Sequence, residues 1–216
     1  MSAVKTKDTR RASEIVKHLE GTLIADLKSL KMQALTTNKP PGLGSLNYTI
    51  FLVGLVGCET IGRYVCGADL DQPKNGTMPD PGGYITRFIE GYFPSKDQYK
   101  SISKILADYL RHILVHGFAP REDGYPFDLH LTVSTQGHNI PPLAVESNNR
   151  LAIQLDAISF ANKIVAAFEQ VKQSMEKDTE LAKKIVAAEE ASKKISPPKD
   201  VTNQFIASYA KLQKKS

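Results

Sequence analysis

Apolar residues recur at intervals of three and four near the start of the chain. Ile15, Leu19, Leu23, Leu27 and Leu30 share one face of an amphipathic helix expected over about 12–35. The stretch TTNKPPGLGS ends it, because proline and glycine cannot continue the pattern. A second helix, about 46–66, is apolar on nearly every side, as the central helix of a bundle would be. It carries Glu59 and Arg63 four apart, a spacing that allows an ion pair. GADLDQPKNGTMPDPGG then reads as an exposed loop, and YITRFIEGYF as a short helix leading to Pro94.

Ser95 and Gln98 form a capping-box pattern, which starts the next helix with Ser95 as its N-cap. Ile102, Ile105, Leu106, Tyr109 and Ile113 make its core stripe, and Gly117 sits where a glycine ends a helix. The texture then changes. FDLHLTVST and NRLAIQLD alternate or run β-branched around the turn-forming QGHNIPP and SNN, so a small β-hairpin is expected within 127–155. Asp156 caps a long helix reaching about 195, whose apolar positions 157, 161, 164, 168, 171 and 175 form a seam that breaks at Asp178. KIVAA appears at 163 and again at 184, and Pro197-Pro198 precedes a short helical tail. The expected fold is mainly α: an antiparallel helical bundle over 1–170 with a small β-hairpin insertion, then a C-terminal helical extension and Lys-rich tail over 171–216.

Composition narrows the class. A chain of 216 residues is long enough to bury a real core. Its charged N-terminus has no apolar segment of the secretory type, and the uncharged run LNYTIFLVGLVGC (46–58) is too short to span a bilayer. A cytoplasmic protein without a membrane segment is the expectation. Cys58 and Cys66 lie eight apart, about 80° around a helix, which disfavours a disulfide, and no His or Cys group nearby has metal-ligand spacing. The net charge of +5 is uneven. Residues 1–39 hold 8 Lys and Arg against 4 acids, and 163–216 hold 11 against 7, whereas 40–162 hold 9 against 12. An anionic partner would be drawn to the ends more than to the middle.

The candidate chemistry lies in LADYLRHILVHGFAPR (106–121), where Arg111, His112 and His116 crowd the last turns of an apolar helix. An arginine fork binds phosphate oxygens and stabilises charge developing on phosphorus. A histidine exchanges protons near neutrality, and a helix C-terminus favours its protonated form. Such a site needs no metal and no cofactor, and the chain offers no convincing carboxylate cage for one. On an ideal helix Arg111 and His116 stand about 140° and about 7.5 Å apart. They converge only if the last turn distorts at Gly117 or if two copies of the helix pool their residues. His112 shares a face with Asp108 and His116, each four away, so Asp108 is placed to orient His112 or to hold Arg111.

The pattern R-[N/D/H]-x-x-x-H near the end of a bundle helix, here RHILVH, resembles the signature of HEPN domains. The upstream apolar helix with a mid-helix acid (FLVGLVGCETIG) and the following HGFAPR extend the likeness over roughly 13–170, with motif specificity in 106–118. The resemblance implies a dimeric helical bundle and a metal-independent endoribonuclease of toxin–antitoxin, CRISPR or other phage-defence type. It implies Arg111 and His116 as the catalytic pair, with His112 in the intervening polar position; Asp108, by its spacing, and Glu59, on the upstream helix, are the candidate supporting acids. The pair would promote attack of an RNA 2′-hydroxyl on the adjacent phosphate, leaving a 2′,3′-cyclic phosphate. The implied partners are RNA, a second copy of the chain, and an antitoxin or effector protein. Phe118 stands where toxins of the R-x4-H-x-Y type carry a tyrosine that a nucleotidyltransferase modifies. The competing reading is a non-catalytic helical module that binds RNA or protein through its long C-terminal helix. The acidic balance of 40–162 favours it, because phosphate clefts are usually basic.

Overall fold

The computed structural model describes residues 6–36, 46–67, 81–110, 127–134, 140–147 and 150–193. The first helix, α1 (Lys7–Leu19), begins earlier than its apolar stripe because Thr6 caps it, its side chain accepting from the Thr9 N–H at 3.2 Å. One π-helical turn, Glu20–Ile24, then leads directly into α2 (Ala25–Thr36). That turn inserts one residue into the helical repeat. The core position expected at Leu23 passes to Ile24, which is fully buried while Leu23 is only partly so.

The central helix is α3 (Asn47–Cys66). It packs on α4 (Pro81–Tyr92), on α7 (Ala157–Lys177), on α8 (Thr179–Lys193) and on α2. By length and composition alone α3 would pass as a membrane span, but half of its apolar window is buried inside the bundle. Two glycines allow the close approaches. A Cβ on Gly54 would meet Ile164 Cδ1 at 2.9 Å and Phe160 Cε1 at 3.0 Å, and a Cβ on Gly62 would strike the Tyr84 carbonyl of α4. Phe51 stacks on Phe160 with ring centroids 5.0 Å apart, and Phe160 also meets Tyr99 at 5.3 Å. This aromatic layer is the centre of the core.

All six expected seam positions of α7, Ala157, Ala161, Ile164, Phe168, Val171 and Met175, are buried. The helix expected to run to about 195 is two helices. Asp178 leaves the helical conformation at φ −112°, ψ 103°, and its carboxylate accepts from the N–H groups of Glu180 and Leu181. It thereby caps a new helix, α8, which folds back to bury Leu181, Ala182, Ile185 and Ala188 against α1 and α3. The two KIVAA copies pack alike: Ile164 and Ala167, then Ile185 and Ala188, are the buried residues. Residue 170 lies within α7, and Met175, Leu181 and Ile185 belong to the same core as Ile15 and Ile61.

The β insertion is a three-stranded sheet rather than a lone hairpin. Its strands are β1 (Phe127–Thr132), β2 (Leu143–Ser147) and β3 (Arg150–Asp156), in the order β1-β3-β2. The hairpin is β2–β3, closed by the register Ser147↔Arg150. The two segments expected to pair as a hairpin, in β1 and β3, are instead parallel neighbours, from Phe127↔Leu151 to Thr132↔Asp156. LAVES, with its single acid, was the strand that alternation in the flanking segments did not bring out. β3 is central and carries the buried Ala152, Ile153 and Leu155. The Asn47 side chain at the start of α3 donates to the Leu131 carbonyl at 2.6 Å, tying the sheet to the bundle.

Candidate functional site

The helix expected to carry the motif does not begin at Ser95. Pro94 to Asp97 forms a turn in which the Asp97 N–H donates to the Pro94 carbonyl, leaving Ser95 outside the helix. Asp97 is the N-cap instead, its Oδ1 accepting from the Tyr99 N–H at 2.9 Å. An aspartate in extended backbone next to the first helical turn does what the serine two residues earlier cannot reach to do.

The motif helix is also irregular. A short α5 (Gln98–Ser101) breaks at Ile102, where φ is −114° and ψ is 9°. α6 (Ser103–Ile105) follows, and a π turn over Leu106–Leu110 carries the chain to the motif. A local side chain competes with the helix here, the Ser101 hydroxyl donating to the Gln98 carbonyl at 2.7 Å, and the Ser103 hydroxyl ties the next turn to Glu90 Oε1 of α4 at 3.0 Å. Leu106 and Ala107 are buried, while Ile102 and Ile105 are partly buried. The straight stripe read from ideal periodicity is therefore rotated at the break.

Of the five candidate residues, two fall on described positions. Asp108 is exposed on the π turn, and Glu59 is half-buried midway along α3. The π turn packs on α4, and α4 packs in turn on α3, so the two acids belong to different layers. Arg111, His112 and His116 lie outside the described residues, as do Ile113, Gly117 and Phe118. The expected facing of Asp108 and His112 therefore falls partly outside the described residues.

A polar cluster that sequence reasoning found only in part anchors the root of this helix. Asp156, only 1% exposed, ends β3 and caps α7. Its Oδ1 accepts from the Ser159 N–H at 2.7 Å and its Oδ2 from the Ser134 N–H at 2.6 Å. The Ser159 hydroxyl accepts from the Ile140 N–H at 2.7 Å, so both flanks of residues 135–139 are tied to the start of α7. The Tyr99 hydroxyl reaches the Asp156 carbonyl at 3.4 Å, and Lys163 Nζ bonds Asp97 Oδ2 at 2.8 Å. Burial, with Asp156 and Asp97 alongside, keeps the Tyr99 phenol protonated far above its usual range. The Asp156 cap was legible from a single acid before an apolar run. The Lys163–Asp97 pair joins residues 66 apart and left no local signal.

Elsewhere, the described surface offers shallow grooves along α1. One is lined by Lys7, Arg10, Arg11 and Glu14, the other by Arg11, His18, Tyr64 and Glu189 among others. Arg11 binds Glu189 through Nη2 at 2.7 Å and Nε at 3.1 Å, and Glu14 through Nη1 at 2.9 Å. These contacts hold its guanidinium protonated above its ordinary range. Cys58 and Cys66 are free thiols, and burial pushes the Cys58 thiol up. Among the described residues no three His, Cys, Asp or Glu side chains gather as a metal site would require. No family model, curated protein or solved structure matches the chain.

Proposed function

We propose that this protein is a metal-independent endoribonuclease of a defence or toxin type, acting in the cytoplasm. Arg111 binds and polarises the scissile phosphate. His116 moves the proton of the attacking 2′-hydroxyl or of the leaving oxygen, with His112 beside them. The product ends are a 2′,3′-cyclic phosphate and a 5′-hydroxyl. The Arg111–His116 spacing, awkward on one ideal helix, is met by a homodimer that pools two copies of the motif. The observation that carries this reading is the sequence RHILVH itself, an arginine and two histidines in the R-[N/D/H]-x-x-x-H pattern. A mainly helical fold with a small sheet accords with it, and so does an irregular helix that reaches the motif through a π turn, a feature frequent at functional sites. RNA and a second copy of the chain are the partners this reading requires, and an antitoxin or effector protein would regulate it.

A second reading has its own support. The segment 40–162 carries 9 Lys and Arg against 12 acids, which suits a non-catalytic RNA- or protein-binding module better than a phosphate cleft. In that case the interaction surface is not the seam of α7, whose six positions are spent on the core.

The deciding experiment is cleavage of a mixed RNA pool in EDTA by the wild type, Arg111→Ala and His116→Ala, with product ends mapped. Cleavage by the wild type to cyclic-phosphate ends, lost by at least a hundredfold in both variants, is the expected outcome. Equal inactivity of all three proteins removes the nuclease reading in favour of the binding module.

A further inference from the structure

Strand β2 is an edge strand, and among the described residues β3 is its one neighbour. Leu143 is 43% exposed, Ala144 and Glu146 are exposed, and Val145 is half-buried. Natural sheets often block such an edge with lysine, an internal proline or a bulge. β2, with the sequence LAVES, has none of these, and its register runs unbroken from Leu143↔Gln154 to Ser147↔Arg150. The register also fixes which backbone groups face outward. Ser147 and Arg150 close the hairpin with two residues between them, so this pair exchanges both of its backbone hydrogen bonds. Bonded and non-bonded pairs alternate along an antiparallel ladder, so Leu143, Val145 and Ser147 bond to β3. The N–H and C=O groups of Ala144 and Glu146 point away from it.

This edge is complementary to itself. Turned antiparallel about a two-fold axis at Val145, a second β2 sets its Glu146 opposite Ala144 and its Ala144 opposite Glu146. Both pairs can then exchange their outward bonds. The acid faces an alanine rather than its own twin. Centring the axis on Glu146 puts two carboxylates directly opposite, which destabilises a strand pair. Centring it on Ala144 sets Glu146 opposite Pro142, which has no N–H to give. With the axis at Val145, the two valines form a close non-bonded pair. Leu143, on the same face as Val145, lies diagonal to the second valine, so its exposed side chain gains an apolar neighbour.

We infer that two copies of the chain join edge to edge through β2 in this register, merging two three-stranded sheets into one sheet of six. The inference goes beyond the nuclease reading, which requires a second copy without naming the surface that holds it. It rests on the register of β2 and not on the motif.

The test uses the full chain carrying Val145→Cys, oxidised at micromolar concentration and run on a non-reducing gel. Leu143→Cys and the wild type, with its native Cys58 and Cys66, are run beside it. Across the axis two residues at 145 have Cα atoms about 4.5 Å apart, within disulfide range, whereas two at 143 lie about 14 Å apart. Linked dimer is expected to form at least tenfold faster at position 145 than at 143 or in the wild type. Adding Ala144→Glu, at an exposed position, sets carboxylates opposite each other across the axis and should slow that linkage about fivefold. Adding Glu146→Lys as well restores opposite charges and should restore the rate. Linkage at 145 no faster than at 143, or linkage indifferent to the charge changes, overturns the inference. RNA cleavage is read separately on the wild type. Cleavage without linkage at 145 sinks this edge and keeps the nuclease reading, and linkage without cleavage does the reverse.

Discussion

Two helices that meet at the aromatic layer could hardly differ more in regularity. α7 runs uninterrupted for 21 residues, and every apolar position its periodicity marks is buried. The helix from Gln98 is broken at Ile102 and is π-helical over Leu106–Leu110, its last described residues, although its apolar spacing looked as regular. The difference lies in what competes with the i to i+4 ladder. α7 has a strong cap at Asp156 and an apolar seam set against α3, so a regular ladder and good packing coincide. The shorter helix is pulled by Asp97, Ser101 and Ser103, whose side chains bond backbone or Glu90, and Lys163 of α7 pins its root. A seam buried on schedule builds stability. A helix with local competitors sets its side chains at angles that no ideal wheel predicts, and the motif follows directly from that one.

If the regular seam carries the fold, its centre is the most sensitive point. Phe160→Ala, which empties the layer shared with Phe51, Phe93 and Tyr99, is expected to destabilise by about 4 kcal/mol in denaturant melts. A loss under about 1 kcal/mol would mean that the layer is not the keystone of the core. Next comes the joint between the two helices. Asp156→Ala removes the cap of α7 and leaves the half-buried Ser134 N–H without its carboxylate acceptor, and about 2 kcal/mol should be lost. Hydrogen exchange sharpens the comparison here, because Ser134 and the first turn of α7 should lose protection before the Phe168 region does. The smallest effect belongs to the pin. Lys163→Met is expected to cost about 1 kcal/mol, since Lys163 is partly exposed whereas Asp97 is nearly buried. Its exchange signature should fall on residues 98–105 and spare α3. Uniform loosening of both helices would erase the distinction drawn between them.

Much of this organisation was legible in the residues. The apolar character of 46–66, the six-position seam of α7, the cap at Asp156 and the break at Asp178 each follow from a few neighbouring side chains. Where the reading failed, several local choices were nearly equal in energy. Ser95 and Asp97 are both good caps, and the turn closed by the Pro94 carbonyl decided between them. The segments in β1 and β3 both read as strands, but strand order depends on LAVES inserting as the outer partner of β3, a contact between elements. The Lys163–Asp97 pair and the Tyr99–Asp156 contact join distant positions and have no sequence period at all. For the candidate site the residue types and spacing of Arg111, His112 and His116 came from the sequence, and of its supporting acids the structure places Asp108 on a π turn and Glu59 in another layer.

By itself, then, the sequence determined which segments are helical, which faces turn inward and where the chemistry-bearing residues sit along the chain, because each rests on interactions within a turn or two. Only the tertiary structure decided that α8 folds back onto α1 and α3, that β1 lies parallel to β3, and that two helices contain π turns. Those outcomes are settled by burial of apolar surface between elements distant in sequence, which outweighs small differences among local backbone states.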